Sequence, residues 1–326
     1  MFMENLTISV IIPTYNRAHK LVNVLYDLAH QSRSHDEIII SDSSSDDKTL
    51  LMLDSTEIKD LSLNIQHVVS SQKGAAFQRN FGAQYASGDI LFFFDDDIRI
   101  HHEFVKQIVT LFENDMEHKI GLAGGVIVNA PFSPPSRINR WWLQFLHGEH
   151  VERFDGRVIG PVIAFYPDER RENPFYVDWK DSSNIAVRRE VFSTEKFDSF
   201  FWGYSFKEDV DLSLRISKRW KVVCMPQAKI WHEPDISKRN YIEISRQEVI
   251  NTYYIMIKNL GKDRLRHKVK FLIYYFIYLS LADIKGILLK GFSIKLMSKI
   301  WKGRLSGLWR LRRVWLKQIS IENVWD

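Results

Sequence analysis

The sequence predicts an α/β protein with a mostly parallel central sheet flanked by helices, followed by a basic, helical C-terminal extension. Two observations lead to this fold class: short continuous apolar runs that end in polar turn residues, and amphipathic helical stretches between those runs. Continuous apolar runs are typical of strands buried on both faces of a sheet. The chain has 326 residues, of which 45% are hydrophobic, so it can bury a large core and intrinsic disorder is excluded.

Three strands are predicted in the first hundred residues, from the apolar runs Ile8 to Ile12, Glu37 to Ile40 and Ile90 to Phe94. Helical periodicity predicts one helix over residues 21–28. A second helix is predicted to carry Phe77, Phe81 and Tyr85 on its apolar face and to end near Gly88. Ligands of open α/β sheets bind beyond the carboxyl ends of the strands, so the polar residues that follow the three strands are expected to form one site.

We call residues 1–235 the body and the residues that follow the extension. The second half of the body is less regular. Residues 129–180 are predicted to form loops and short helices that cover the sheet, where selectivity for a second substrate could reside. Regular structure is predicted again in strands at residues 185–187 and 222–225, with a helix over residues 205–216 between them. The body is predicted to end near Asp235.

Two classes of enzyme are disfavoured because the sequence lacks their motifs. The sequence has neither G-x-G-x-x-G after the first strand nor G-x-x-x-x-G-K-[ST], so a dinucleotide-binding oxidoreductase and a P-loop enzyme are disfavoured.

The single cysteine, Cys224, cannot form an internal disulfide, which fits a reducing, cytosolic setting. Met1 to Ile12 lacks a basic start and is a poor signal peptide.

The net charge of +5 is unevenly distributed. Residues 262–317 hold 15 basic and 2 acidic residues, so the rest of the chain carries a net charge of −8. Because the acidic clusters lie in the body and the basic residues in the tail, the pattern argues against a nucleic-acid-binding protein.

Three consecutive acids, Asp95, Asp96 and Asp97, follow the buried strand that ends at Phe94. Two carboxylates about 4 Å apart repel by roughly 4 kcal/mol at an effective dielectric of 20, so the cluster needs a cation or a proton. Strand alternation turns Asp95 and Asp97 to one side, where hard oxygen ligands suit Mg²⁺ or Mn²⁺ shared with substrate phosphates. The alternative is a solvated acidic turn, and the position after a fully apolar strand favours the metal site.

Other polar residues have both a functional and a structural interpretation. Asp42 can accept a hydrogen bond from a base or a ribose, or it can form an ordinary turn. Arg79 falls away from the apolar face of its helix and is either a cation for phosphate or a solvent-exposed arginine. His232 is either a ligand of a metal or phosphate, or simply hydrogen-bonded.

Ser205 and Glu208 have the spacing of a helix capping box, in which Glu208 would only cap the helix and Asp209 would only favour its positive end. The same geometry would also project a carboxylate from a rigid helix start, which suits a general base.

Six segments, in chain order, carry a family resemblance: Ser9-Val10-Ile11-Ile12-Pro13-Thr14-Tyr15-Asn16-Arg17, Ile38-Ile39-Ile40-Ser41-Asp42, Asp95-Asp96-Asp97, Ser183-Asn184-Ile185-Ala186-Val187-Arg188-Arg189, Glu208-Asp209-Val210-Asp211-Leu212 and His232. Over residues 7–235 this order resembles the inverting family 2 glycosyltransferases of the GT-A fold. Ser41-Asp42-Ser43 departs from the Asp-Asp-Gly that is frequent in the family, which leaves base and ribose recognition open. No Q-x-x-R-W run follows Asp209, which argues against a processive polymerase.

The resemblance implies a role for each matched residue. Asp209 is expected to be the catalytic base, with Glu208 beside it. A divalent cation, Mg²⁺ or Mn²⁺, is expected on Asp95, Asp97 and His232. The expected nucleotide contacts are Pro13, Thr14, Tyr15, Asp42, Arg79, Asp95 and Asp96. Asn184 and Trp202 are assigned to the acceptor.

The same resemblance implies transfer of a sugar from a nucleotide-sugar, with a UDP- or dTDP-sugar favoured, to a glycan or lipid-linked acceptor. Residues 1–235 would form the GT-A domain, with a nucleotide-binding half over 1–100 and an acceptor-binding half over 101–235. Two alternatives use the same scaffold: a metal-dependent phosphoesterase, and a non-catalytic glycan- or membrane-binding module.

The extension, residues 236–326, has the composition of a membrane-surface anchor. Phe292, Leu296 and Ile300 share one helical face with lysines interleaved, and three tryptophans, Trp301, Trp309 and Trp315, lie among arginines. The apolar run 271–282 is shorter than the roughly 20 residues needed to span a bilayer, so a spanning helix is disfavoured. We expect residues 262–317 to bind the anionic cytoplasmic face of the cell membrane peripherally. The alternative is an extension that packs on the body and leaves its basic face in water.

Overall fold

The computed structural model of the protein describes residues 6–235, 239–290 and 293–325. Phe292, which the sequence places on the apolar face of the tail, lies outside these residues, as do residues 1–5 of the segment assessed as a signal peptide.

Strands and helices alternate along the chain in the order expected of an α/β protein. The strands are β1 (Ile8–Thr14), β2 (Glu37–Asp42), β3 (Ile65–Val69), β4 (Ile90–Phe94), β5 (Ile98–Ile100), β6 (Ile120–Ile127), β7 (Val158–Ile159), β8 (Ile163–Ala164), β9 (Phe175–Tyr176), β10 (Asn184–Arg188) and β11 (Lys221–His232). The body helices are α1 (Ala18–Ala29), α2 (Lys48–Leu53), α3 (Thr56–Lys59), α4 (Ala75–Gly82), α5 (Phe104–Glu113), α6 (Arg137–His147), α7 (Arg189–Thr194) and α8 (Glu208–Ile216). The extension contains α9 (Tyr241–Lys258), α10 (Leu265–Ile273), a π-helical segment (Tyr274–Tyr278), α11 (Leu279–Lys290) and α12 (Ile294–Trp315).

In the described part of the chain, one sheet has the strand order β3-β2-β1-β4-β10-β6-β11-β5, and β9 pairs with β11. The first four strands are parallel, and β6 and β11 are parallel to each other. Strand β10 lies antiparallel between β4 and β6. The fold class predicted from the sequence is confirmed, because the sheet is mixed and mostly parallel with helices around it.

The continuous apolar runs are buried on both faces of the sheet, as predicted. Val10 and Ile12 of β1 belong to the hydrophobic cluster on one face, whereas Ile11 belongs to the cluster on the other. The same alternation divides Phe92 from Phe93 in β4. Two-sided burial fixes the register of these strands, since a slip of one residue would exchange the two faces.

Helix α4 differs from the sequence prediction in both its end and its buried face. It ends at Gly82, not at Gly88. The residues Gln78 and Arg79 are buried, while Tyr85, expected on the apolar face, lies beyond the helix and is exposed. Two hydrogen bonds explain why Gln78 is buried. Its Nε2 donates to the carbonyl oxygens of Thr14 and Ser41 at 2.8 Å each, which joins α4 to the ends of β1 and β2.

The extension shares a hydrophobic core with the body. One buried cluster combines Phe201 and Val210 of the body with Tyr253 and Phe271 of the extension. Helix α12 lies close against α9, because Gly307 leaves no room for a side chain beside Val249. The boundary predicted near residue 235 therefore separates two segments that pack on one another.

The tail helices bear on the predicted membrane contact in two ways. A continuous helix over Leu265–Leu288 has 24 residues and is, by length and composition alone, long enough to cross a membrane, so the shortness of the run 271–282 is not by itself an argument against a spanning helix. In addition, the tryptophans differ in exposure. Trp309 is exposed, whereas Trp315 is partly buried against Tyr253, with ring centroids 5.8 Å apart.

Candidate active site

The carboxyl ends of the parallel strands bring the predicted polar residues to one edge of the sheet. Thr14, the last residue of β1, lies opposite Asp42, the last residue of β2. Thr14 Oγ1 donates to Asp96 Oδ2 at 2.8 Å, which joins the end of β1 to the acids that follow β4. Asp96 and Asp97 are buried and Asp95 is partly exposed.

Asp95, Asp97 and His232 form one group of potential metal ligands, with ligand atoms that all lie within 4.8 Å of one another. His232, at the end of β11, lies with Nε2 3.1 Å from Asp97 Oδ1. Two carboxylates and one imidazole are a suitable donor set for a divalent cation, so the residues present fit the metal site that the sequence predicts.

Asp97 and His232 each stabilise the charged form of the other. Burial opposes the charge of His232, but the hydrogen bond to Asp97 and the nearby acids raise its pKa to about 9. Burial also opposes the charge of Asp97, and the hydrogen bond from His232 outweighs it, so the pKa of Asp97 is lowered. Asp97 and His232 therefore form an ion pair.

Arg17 is also a member of this site, although the motif that contains it did not indicate a role for it. Its Nη1 donates to Asp96 Oδ1 at 3.1 Å and to Asp97 Oδ2 at 3.0 Å. Burial nevertheless raises the pKa of Asp96 to about 7, since it outweighs the stabilising charge of Arg17. Arg17 thus supplies positive charge that reduces the repulsion between the neighbouring carboxylates.

Arg79 is neither a solvent-exposed arginine nor a free cation for phosphate. The residue is 2% exposed. Its Nη1 donates to Glu208 Oε1 at 2.8 Å, and its Nη2 donates to Asp95 Oδ1 at 2.5 Å. Arg79 therefore connects the acids after β4 with the start of α8, and its predicted direct contact with a nucleotide would require these bonds to change.

Glu208 does not cap α8, so the capping-box interpretation is wrong. The helix begins at Glu208 itself, with Lys207 as the preceding residue at a φ of 71°. Glu208 Oε1 accepts a hydrogen bond from Ser182 at 3.1 Å as well as from Arg79. Ser205 Oγ accepts from the backbone N–H of Ala76 at 3.2 Å. Burial raises the pKa of Glu208 to about 7 against the lowering effect of Arg79.

Asp209 has the environment expected of a general base. It is partly buried, and its Oδ1 accepts from the backbone N–H of Val210 at 2.7 Å. Burial, followed by the charges of Glu208 and Asp181, raises the pKa of Asp209 well above its usual range. A carboxylate with a raised pKa is a stronger base for a substrate hydroxyl.

The loop that leads into α8 is held by α9 of the extension, which sequence reasoning did not assign to the site. Ser205 and Lys207 have φ angles of 52° and 71°, which are unfavourable for residues with a side chain. Asn251 Nδ2 donates to the carbonyl oxygen of Phe206 at 2.6 Å, and Lys207 Nζ donates to Thr252 Oγ1 at 2.8 Å. Helix α9 therefore fixes the loop that precedes Asp209.

The expected nucleotide residues lie at the same edge of the sheet. Asp42 is buried, with Oδ2 3.1 Å from His67 Nε2 and Oδ1 accepting from the backbone N–H of Ser44 at 2.8 Å. Tyr15 is exposed, and Lys73 Nζ donates to its hydroxyl at 2.8 Å. Pro13 precedes Thr14 at the end of β1.

The two residues expected to bind an acceptor have different environments. Trp202 is exposed beside Trp325, with ring centroids 5.4 Å apart. Asn184 is fully buried, and its Nδ2 donates to Ser183 Oγ at 3.4 Å. Because no part of Asn184 reaches the surface, this structure does not support its contact with an acceptor.

Comparison with known proteins assigns the chain to a family. The family model described as "Glycosyl transferase family 2" matches residues 9–169. Validoxylamine A glucosyltransferase of Streptomyces hygroscopicus subsp. jinggangensis is 33% identical over 220 residues, which are 64% of this chain and 51% of that protein. Over residues 9–169 the chain belongs to glycosyl transferase family 2.

Two further similarities are to a second curated relative and to a solved structure. UDP-Glc:alpha-D-GlcNAc-diphosphoundecaprenol beta-1,3-glucosyltransferase of Escherichia coli is 30% identical over 123 residues, or 36% of this chain and 46% of that protein. The mannosyltransferase of Pyrobaculum calidifontis, solved with GDP-Man and Mn²⁺, covers 98% of this chain and 85% of its own with a TM-score of 0.53 and 14% identity. The structural similarity supports the GT-A fold. The chain spans about half, or less, of the length of the curated relatives it matches.

Proposed function

We propose that this family 2 protein is an inverting, non-processive glycosyltransferase that moves a sugar from a nucleoside-diphosphate sugar, with UDP- and dTDP-sugars as the first candidates, to a glycan or lipid-linked acceptor. The observation that carries the proposal is the pair of bonds made by Arg79. They join Asp95, one of the acids at the strand ends, to Glu208, the neighbour of Asp209. One of the acids that we expect to hold the cation is thereby hydrogen-bonded, through Arg79, to the residue that precedes the proposed base.

On the donor side, which we assign to residues 1–100, the nucleotide would lie along the ends of β1 and β2. Tyr15 offers an exposed ring to a base, and Asp42 offers carboxylate oxygens to a base or ribose. Asp95, Asp97 and His232 would hold Mg²⁺ or Mn²⁺. Bound there, a divalent cation supplies positive charge against the negative charge that develops on the departing diphosphate.

Asp209 is the base in this proposal. It accepts the proton of an acceptor hydroxyl while the hydroxyl oxygen forms a bond to the anomeric carbon of the sugar. The bond from that carbon to the diphosphate breaks, and the diphosphate leaves with the electron pair. Because attack and departure are on opposite faces of the carbon, one displacement inverts the configuration. The raised pKa of Asp209 makes it a competent proton acceptor.

On the acceptor side, which we assign to residues 101–235, Trp202 offers an exposed aromatic surface beside the loop that leads to Asp209. The name of the Escherichia coli relative specifies an acceptor linked to diphosphoundecaprenol. A lipid-linked acceptor would also explain the basic segment 262–317, which we propose binds the cytoplasmic face of the membrane peripherally.

The test is to incubate the full chain with UDP-, dTDP- and GDP-sugars, Mn²⁺ and GlcNAc-diphosphoundecaprenol, and to determine the configuration of any new glycosidic bond by NMR. A product with inverted configuration supports the proposal. Release of nucleotide or phosphate without a glycosidic product, at the same rate with and without acceptor, would instead favour a phosphoesterase. No turnover of any donor, with intact binding to glycans or vesicles, would favour a non-catalytic module.

A further inference from the structure

The helix over Leu265–Leu288 has an exposed apolar face along its whole length. Six of its apolar side chains are each between 46% and 75% exposed. We call these six residues the apolar stripe: Leu265, Val269, Phe276, Leu281, Ile284 and Leu288. A helix of 24 residues is about 36 Å long, so the stripe is an extended surface rather than an isolated exposed side chain.

The π-helical segment Tyr274–Tyr278 aligns the two halves of this stripe. In an uninterrupted α-helix, each residue advances about 100°, which would place Leu281, Ile284 and Leu288 roughly a third of a turn away from Leu265 and Val269. A π-helical turn contains more residues and therefore turns the following residues back. The irregular segment thus gives the helix one continuous apolar side.

The opposite side of the helix is fixed to the protein. Phe271 and Tyr275 are fully buried, and Tyr275 Oη donates to Thr252 Oγ1 at 3.2 Å. Asp283 accepts from Arg304 Nη1 of α12 at 2.5 Å. A helix held in this way cannot cross a bilayer without losing these contacts and placing Asp283 in hydrocarbon, which is costly.

The charge around the stripe indicates which partner covers it. Residues 262–317 contain 15 basic and 2 acidic residues. Both acids are paired within the protein, Asp263 with Lys268 at 3.0 Å and Asp283 with Arg304. Two copies packed stripe against stripe would bring two strongly positive surfaces together, whereas an anionic lipid surface would neutralise the charge.

We infer that the apolar stripe lies in the plane of an anionic membrane, inserted into the boundary between headgroups and acyl chains, while the other side of the helix stays packed on α9 and α12. This inference rests on the proposed membrane contact, and it locates that contact on one helix side. It does not require the protein to transfer a sugar. It also replaces the three tryptophans of the sequence analysis as the main anchor, because Trp315 is partly buried.

Binding to vesicles of phosphatidylcholine mixed with phosphatidylglycerol tests the surface directly. The double variant Leu281→Gln/Ile284→Gln is expected to bind at least about tenfold more weakly than the unaltered protein. The matched control is Leu51→Gln/Met116→Gln, which changes two side chains that are 68% and 62% exposed on the body and should bind normally. Unchanged binding by the stripe variant overturns the inference. The inference is also overturned if neither the unaltered protein nor the stripe variant binds vesicles and sedimentation shows a dimer of the unaltered protein that the stripe variant does not form.

Depth measurements distinguish an in-plane helix from a spanning one. The single cysteine, Cys224, is fully buried, so a fluorophore can be attached selectively at Val269→Cys, Phe276→Cys or Ile284→Cys. Lipid-borne quenchers should report one shared shallow depth for all three sites and no quenching of a control label at Leu51→Cys. A label at position 276 that is much deeper than the other two overturns the in-plane arrangement.

The failure of this inference can be told apart from failure of the proposed function. The Asp209→Asn variant is expected to bind vesicles like the unaltered protein, since Asp209 is distant in sequence from the stripe and its change is nearly isosteric. Vesicle binding without sugar transfer by the unaltered chain would contradict the transferase proposal alone. Sugar transfer with no binding to vesicles would contradict the stripe alone.

Discussion

Arg79 and Glu208 form a buried ion pair, with Nη1 of the arginine 2.8 Å from Oε1 of the glutamate. They are 129 residues apart in the chain and come from the helix after β3 and from the start of α8. Since Arg79 also bonds Asp95, the pair connects the acids at the strand ends with the residue next to Asp209. The two halves of the proposed site are therefore coupled through one guanidinium group.

Replacing Arg79 should be strongly destabilising. Arg79→Met leaves Glu208 buried without its cation, and loss of one partner of a buried pair costs about 3–5 kcal/mol of unfolding free energy. Glu208 can escape this cost by taking up a proton, and its pKa rises further when the charge of Arg79 is removed, so the loss should be largest well above pH 7 and smaller below it. Chemical denaturation at several pH values measures both effects.

The surface pair between Arg99 and Asp27 provides the control for this experiment. Arg99 Nε lies 2.8 Å from Asp27 Oδ2, but the arginine side chain is 45% exposed. Arg99→Met should therefore cost about 1 kcal/mol or less, without a similar change near pH 7. Equal losses for the two variants would show that the buried pair has no special role in stability.

Asp209→Asn should separate binding from turnover. The amide keeps the shape of the side chain but cannot accept a proton, so donor binding should remain nearly intact while kcat falls by a factor of about 10² to 10⁴. Calorimetry with the donor nucleotide and Mn²⁺, together with single-turnover kinetics, measures the two quantities. Asp263→Asn, which changes a 70% exposed acid of the extension, is a suitable control. Turnover equal to that of the unaltered protein would remove Asp209 as the base.

The pH dependence of transfer tests the same assignment. A base acts in its deprotonated form, and the pKa of Asp209 is raised well above its usual range. As pH falls through that raised pKa, the rate should decrease, so the acidic limb of the profile should lie well above the pH at which ordinary aspartates titrate. The Asp209→Asn variant should lack this limb. An acidic limb at the pH of an unperturbed aspartate would argue against a buried carboxylate base.

Asp97→Asn should weaken metal binding. The change removes one of two carboxylates from the group formed with Asp95 and His232, and it also removes the charge that favours protonated His232. The affinity for Mn²⁺, measured by electron paramagnetic resonance with and without nucleoside diphosphate, should fall at least about tenfold. Asp46→Asn changes an exposed acid after β2 and should have no effect. Retained Mn²⁺ affinity in Asp97→Asn would place the metal elsewhere.

The sequence predicted the elements whose burial follows a simple pattern. Strands β1 and β4 are continuous apolar runs, so two-sided burial and the strand-end position of Asp95 could be inferred. The inward orientation of Arg79 could not, because helical periodicity assigns charged residues to the outer face. Its partner Glu208 is brought near only by the folded sheet, and a local motif suggested a capping role for that glutamate instead.

Long-range contacts explain the other residues that sequence reasoning missed. Arg17 lies in a motif that was noted, but its partners Asp96 and Asp97 are 79 and 80 residues away. The role of α9 was hidden for a different reason, since its contacts to the loop before α8 use amide and hydroxyl groups that carry no motif. A π-helical segment also has no recognisable spacing, so the alignment of the tail helix appears only in the folded chain.

The amide of Asn251 gives the last test, because its contact with the carbonyl oxygen of Phe206 holds a loop with unfavourable φ angles next to the proposed base. Asn251→Ala should let the loop relax and move Asp209, lowering kcat by roughly tenfold to a hundredfold while the KM for the donor changes little. Asn251→Gln, which retains the amide, should recover part of the loss. Asn64→Ala removes a comparable bond, from an exposed amide to the carbonyl oxygen of Asp36, and should leave kcat unchanged. A parallel loss of kcat and folding stability in Asn251→Ala, without rescue by glutamine, would show that the contact supports folding and not the position of the base.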